Sequence, residues 1–161
     1  MGKEPNNTIN IGYNDEWPGK WLSNFSEHHF TVDGVECASM EGFLQSLKFR
    51  SVPLQERVCS LAGFKAKFKG KPKKWWKTQT LWWRGEQIDR HSEKYQKLLD
   101  RAYDALATNQ KFQKALIATG DARLTHTIGK SDPRKTILTV HEFVSRLYII
   151  RQRLNDAWDC E

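Results

Sequence analysis

A mainly helical α+β domain with a small antiparallel β element is the fold class this sequence predicts, and three observations carry it. Apolar residues recur at helical spacing in several segments bounded by cap residues and glycines. The run Phe30 to Cys37, FTVDGVEC, places the Asp-Gly pair of a two-residue hairpin turn between alternating apolar positions. The length, 161 residues, suits one domain able to bury about two thirds of its unfolded surface. Residues 1–161 are therefore read as a single domain, with 1–8 a flexible, polar N-terminus.

Each element follows in order. Ile9, Ile11 and Tyr13 alternate enough for a short strand. In the hairpin, Phe30, Val32, Val35 and Cys37 share one face. It runs directly into SMEGFLQSLKF, Ser39 to Phe49, where Ser39 is a good N-cap and Glu41 sits in the first turn, favoured by the helix dipole. Phe43, Leu44 and Leu47 form its buried stripe. Pro53 suits the first turn of a second helix with Leu54, Val58 and Leu61 inward, and Ser60 to Lys69 extends it or begins another before the break at Gly70 and Pro72. Ser92 caps a helix carrying Tyr95, Leu98, Leu99, Ala102 and Leu106. Asn109 begins the next, through Phe112, Ala115 and Leu116 to Gly120. Ala122 to Ile128 alternates as an extended segment. Thr139 and Glu142 make a capping box for a last helix with Val140, Phe143, Val144, Leu147 and Leu154 inside and Arg146, Arg151 and Arg153 toward solvent.

The first of the long helical segments carries the chemistry. Glu41, Gln45 and Lys48 lie at i, i+4 and i+7, so their side chains project in nearly one direction, away from Phe43 and Leu47. Such a row can hold a polar substrate or serve as a solvated face, and the segment alone leaves both open.

The order of loop, hairpin and helix here resembles the NADAR, or YbiA-like, family. The matching residues are Ser23, Asn24 and Phe25 of the LSNF loop, Asp33 and Gly34 of the turn, and Glu41, Gln45 and Lys48 of the helix. The resemblance is strong over roughly Trp21 to Arg50, and beyond it covers element order and scattered residues such as Leu124, His126 and Thr127. Gly42 and Phe43 stand where the family usually has His and Tyr, and Leu47 replaces a second glutamine. TIGKSDPRKT, Thr127 to Thr136, takes the place of a Trp-Gly-Asp element.

The resemblance implies a YbiA-like fold and a hydrolase acting on N-glycosyl bonds between ribose and a nitrogenous base. The implied substrates are ADP-ribosylated guanine or nucleic acid, or a ribosylaminopyrimidine phosphate of the riboflavin pathway. Such a bond breaks through a ribosyl cation-like state, which calls for a negative charge near the anomeric carbon and an activated water. Glu41 is the residue chosen for both. Lys48 would stabilise the leaving base or hold a phosphate, and Gln45 and Asn24 would donate to ribose hydroxyls. Ser23, Phe25 and Trp83 are expected to bind substrate, with Trp83 stacking on a base. His126 is either a structural histidine or part of the pocket, and Gly129, Lys130 and Arg134 suit a diphosphate if their loop folds toward Glu41.

Composition bears on partners. Net charge is +7 and the pI about 9.4, favouring anions. No acidic residue falls between Glu56 and Glu86, whereas Lys65 to Lys77 is dense in lysine and lies beside Trp75, Trp76, Trp82 and Trp83. Cations beside stacking rings suit single-stranded nucleic acid; the same interval also fits a solvated loop with its tryptophans turned inward. A catalytically silent ADP-ribose or NAD reader, or a basic nucleic-acid-binding module, are the alternatives to an enzyme. Cys37, Cys59 and Cys160 form no paired framework and no zinc spacing, so free thiols, no metal and no cofactor are expected. No apolar run approaches about 18 residues, and MGKEPNNTIN has no secretory character, so a cytoplasmic protein without a membrane partner is expected.

Overall fold

The computed structural model describes residues 7–159. In chain order the elements are β1 (Thr8–Asn10), α1 (Gly19–Leu22), β2 (Phe30–Val32), β3 (Val35–Cys37), α2 (Met40–Ser46), α3 (Val52–Cys59), α4 (Gly63–Gly70), a 3-10 turn (Trp75–Lys77), β4 (Thr80–Trp83), β5 (Glu86–Asp89), α5 (Glu93–Leu106), α6 (Gln110–Ala118), β6 (Arg123–Thr125) and α7 (Val140–Asp159). They form a mixed, mainly helical α+β single domain.

The β2–β3 hairpin closes as the sequence predicts, with Phe30 opposite Cys37 and Val32 opposite Val35. Asp33 and Gly34 take φ of 50° and 80°, the left-handed pair that a tight turn requires. Asp33 has a second task, accepting from Trp83 Nε1 at 2.9 Å and from the Arg101 guanidinium at 3.0 Å. That fixes the hairpin to β4 and α5.

α2 lies at the centre, packed against α3, α4 and β3. Ser39 caps it through Oγ, which accepts from the Gly42 amide at 2.9 Å, and Met40, Phe43 and Leu44 are buried. Gly42 is required by close approach. A Cβ there would lie 2.4 Å from the Leu61 carbonyl oxygen and 2.9 Å from that of Cys59, so α2 packs directly on the backbone at the end of α3.

Several expectations change. Leu54 is 40% exposed, because Gln55 takes the inward position of α3. The Gln55 amide donates to the carbonyls of Ser46 and Trp82 at 3.0 and 2.8 Å and accepts from the Arg84 amide at 2.9 Å. It thereby satisfies the end of α2 and binds it to the second hairpin, β4–β5, which pattern reading did not separate from the lysine region. Arg84 and Gly85, with φ of 51° and 85°, form its turn. Arg146 is not solvated: its guanidinium is held by Gln96 and Asp100 of α5. Arg151 reaches Thr119 and Ala122.

The remaining strands, β1 and β6, pair in parallel. The flexible N-terminus expected for 1–8 lies outside the described residues for 1–6. Asn7 and Thr8 are tied down: the Asn7 carbonyl accepts from the Arg123 amide at 2.8 Å, its side chain donates to Asp121 at 2.7 Å, and Thr8 pairs with Arg123. Cys37 and Cys59 are buried free thiols, and Cys160 is outside the described residues. Among the described residues no helix is long and apolar enough to cross a membrane.

Candidate active site

A cleft of about 350 Å3 opens where α2, the loop after α1, α4, the 3-10 turn and the loop 126–138 meet. From α2 it takes Glu41, Leu44, Gln45 and, just past the helix end, Lys48; the predicted row therefore faces this cavity. Gln45 donates from Nε2 to Glu41 Oε1 at 2.8 Å, fixing the carboxylate. Its own Oε1 is buried without a hydrogen-bond partner among the described residues. Gly70 makes room for that oxygen, since a Cβ there would fall 1.8 Å from it.

Burial pushes the Glu41 carboxyl above its ordinary pKa, and the Gln45 hydrogen bond and the charges of Lys48 and Lys67 offset this only in part. Lys48 is shifted down, chiefly by burial, with Lys130 adding to the shift and Glu41 opposing it. The two groups are thus displaced toward each other.

The facing wall is the LSNF loop. Ser23 Oγ accepts from the Phe25 amide at 3.2 Å and shapes the turn. Asn24 accepts the Glu41 amide on its carbonyl at 2.9 Å, and its side-chain Oδ1 accepts from buried Tyr103 at 3.0 Å. The second bond leaves the Asn24 NH2 as the available donor. Phe25 stacks on Tyr13 with centroids 5.2 Å apart, and Phe64 meets both rings edge-on. This gives the cleft an aromatic end.

The loop 126–138 closes the other side. His126 lines the cleft, with Nδ1 bonded to the Ile11 carbonyl at 2.7 Å and its ring edge-on to Phe143 at 5.2 Å. Because a carbonyl can only accept, Nδ1 is the donor in this bond. Gly129 is required here: a Cβ would lie 2.5 Å from His126 Cδ2 and 2.6 Å from Val140 Cγ2. The Val140 amide donates to the Lys130 carbonyl at 3.0 Å, which folds the loop toward Glu41. Thr136 to Leu138 is held from behind by Arg90, whose Nε donates to Thr136, while its fork grips Glu142 at 2.7 and 3.1 Å. Tyr95 OH donates to the Ile137 carbonyl.

The predicted residues divide as follows. Glu41, Gln45, Lys48, Ser23, Asn24, Phe25, His126, Gly129 and Lys130 line one cavity. Trp83 does not. It is 5% exposed, packed edge-on to Phe43 at 5.1 Å, because β4 alternation turns it inward with Leu81. Trp75, the first residue of the 3-10 turn, lines the cleft instead. Arg134 borders an adjoining groove, with its guanidinium beside Asp132. The sequence marks Lys67 only as part of the basic interval Lys65 to Lys77 and Tyr13 only as a strand position, and nothing in the local spacing of Lys135 or the orienting Tyr103 separates them from core or surface. Among the described residues Glu41 is the one carboxylate in the lining, against Lys48, Lys67, Lys130 and Lys135. The lysines suit an anionic ligand, and the single carboxylate among them is half-buried. No group of three potential metal ligands occurs among the described residues.

The chain matches the family described as bacteriophage protein GP30.3 over residues 16–152. An uncharacterized 17.1 kDa protein from the Gp30–rIII intergenic region of Enterobacteria phage T4 is 34% identical over 151 residues, covering 91% of this chain and 98% of that protein. The NMR structure of the E. coli protein YbiA is similar with a TM-score of 0.59 over 96% of this chain and 89% of that chain, at 17% sequence identity. The likeness is one of fold. This chain, YbiA-like in architecture, belongs to the bacteriophage protein GP30.3 family.

Proposed function

We propose that the cleft hydrolyses the N-glycosidic bond of a phosphate-bearing ribosyl substrate, either ADP-ribose attached to guanine in nucleic acid or a ribosylaminopyrimidine phosphate. The observation that carries this reading is the solitary, half-buried Glu41 carboxylate among the lysines of the cleft. A lone carboxylate held by Gln45 can face the cation that develops at the anomeric carbon, while the lysines take the phosphates.

The bond changes balance. Glu41 accepts a proton from water as the water oxygen bonds to the anomeric carbon. The bond from that carbon to the base nitrogen breaks, and the nitrogen takes a proton from Lys48, which burial makes the stronger acid. Transfer from Glu41 back to Lys48 restores both groups. Asn24, through its free NH2, would donate to a ribose hydroxyl from the wall facing Glu41, and the stacked Tyr13–Phe25 pair would form an aromatic wall beside the base.

The test is mass spectrometry of products after incubating wild type and Glu41→Gln with an ADP-ribosyl-guanine oligonucleotide and, separately, a ribosylaminopyrimidine phosphate. Release of free ADP-ribose or ribose phosphate by wild type alone supports the reading and identifies the substrate. Equal release by both chains, or none from either, removes it.

A further inference from the structure

Beside the cleft runs a second groove, of about 430 Å3, sharing Gln45, Lys48, Lys67, Trp75, Lys130 and Lys135 with it. To these it adds Lys71, Lys73, Trp76 and Arg134, and no acidic residue. Trp76 is 49% exposed, so its ring is available for stacking. The two sides of this groove come from distant parts of the chain, the 3-10 turn on one side and the loop around Arg134 on the other.

Gln79 joins them. Its Nε2 donates to the Trp76 carbonyl and to the Arg134 carbonyl, both at 2.9 Å, and its Oε1 accepts from His91 at 2.8 Å. Two carbonyl acceptors leave only one orientation for the amide. The backbone is held in the left-handed region, φ 56°, with the Gln79 carbonyl accepting from the Arg90 amide at 2.9 Å. A glutamine gains nothing from that conformation, which favours glycine or asparagine. The left-handed φ ends the 3-10 turn, with the Gln79 amide donating to the Trp75 carbonyl at 2.8 Å, and from that fixed point the side chain spans two walls of the basic groove and holds them at one spacing.

We propose that Gln79 is a positioning residue that sets the spacing of a phosphate-binding groove, through which a single-stranded phosphodiester runs on from the cleft. The exposed ring of Trp76 and the row Lys71, Lys73, Arg134 suit successive base and phosphate groups better than one compact diphosphate, which the lysines of the cleft already serve. The inference rests on the cleft holding a ribosyl group, but its test reads binding and is independent of turnover.

Anisotropy of a labelled twelve-residue oligothymidine, calorimetric titration of ADP-ribose and thermal denaturation are measured on wild type, Gln79→Gly, Gln79→Asn and Lys71→Gln/Lys73→Gln. Gln79→Gly and Gln79→Asn are expected to melt within about 5 °C of wild type, because their easier positive φ offsets the lost exposed hydrogen bonds, yet to bind the oligonucleotide at least about fivefold more weakly as phosphate contacts are lost. ADP-ribose affinity stays within about twofold, since its phosphates are expected on the lysines of the cleft. The double lysine variant loses about 1.4 from the slope of log affinity against log salt. Wild-type affinity in both Gln79 variants overturns the proposal, as do an equal loss of ADP-ribose binding, an affinity loss matched by a fall in melting temperature, and absence of oligonucleotide binding by wild type. Failure of the glycosidase reading would appear separately, as binding in these arms without product.

Discussion

The Glu41 amide donates to the Asn24 carbonyl at 2.9 Å, so the residue bearing the cleft's carboxylate and the residue facing it across the cleft are joined through their backbones. Their spacing is therefore set by main chain, independent of either side chain's rotamer. Tyr103, from α5, then fixes the Asn24 amide, and Gln45 fixes the Glu41 carboxylate. Four side chains from three segments are held in place before any ligand arrives.

Glu41→Gln is expected to lower turnover by about a thousandfold or more, because the charge and the proton acceptor go together. Stability should move the other way. The Glu41 pKa is higher folded than unfolded, so the ionised group destabilises the fold at neutral pH, and this effect fades as pH falls through the raised value toward the ordinary carboxylate range. Melting curves of both chains across acid and neutral pH should show the variant ahead at neutral pH and the two converging in acid. A variant that melts lower at neutral pH contradicts this.

Tyr103→Phe removes one buried hydrogen bond and should cost about 1 kcal/mol. With Asn24 free to rotate, turnover is expected to fall about tenfold. Steady-state kinetics alongside denaturant unfolding separates the two effects, and unchanged kinetics would show that Tyr103 has no part in placing Asn24.

Gly42→Ala tests the packing of α2 on α3. The new methyl would meet carbonyl oxygens of the backbone, the nearest at 2.4 Å, which cannot turn aside as a side chain does. A loss of about 2–3 kcal/mol is expected, read as a fall of about 5–10 °C in melting temperature. A variant as stable as wild type would mean that α2 can shift outward freely.

Arg90→Met leaves Glu142 buried without its bidentate partner and should cost about 3–5 kcal/mol. Burial raises the Glu142 pKa, but Arg90, the Thr139 amide and Gln96 outweigh it and hold the group below its ordinary value. Its stabilisation is present above the ordinary glutamate range and is lost as pH falls through the depressed folded value. The deficit of the variant should therefore narrow in acid, as denaturant titrations at neutral and low pH would reveal.

Much of this architecture was legible locally. Ser39, Ser92, Asn109 and the Thr139–Glu142 box all cap helices where the sequence places them, because a cap acts within one turn. The Asp33–Gly34 turn was legible for the same reason. The β4–β5 hairpin was not, since tryptophans and lysines hide the alternation and Arg84 adopts a positive φ that its identity does not announce. Within the site, the helical spacing of Glu41, Gln45 and Lys48 put them on one face. Trp75 and Trp83 differ only in which way the backbone turns them, and that depends on Phe43 and Asp33, far away in sequence. Gln55, Gln79 and Tyr103 likewise act through long-range contacts to which short-range pattern is blind.

His126 receives its hydrogen bond partner from Ile11, 115 positions earlier, and β1 pairs beside it with β6. A ribosome releasing this chain would thus expose the row Glu41, Gln45 and Lys48 long before the wall carrying His126 exists. Closing so large a loop is slow in comparison with forming the α2 hairpin unit. The cleft is consequently a late product of folding: nascent or truncated chains can carry Glu41 in its helix while lacking the means to enclose a ligand, which confines ligand capture to the finished molecule.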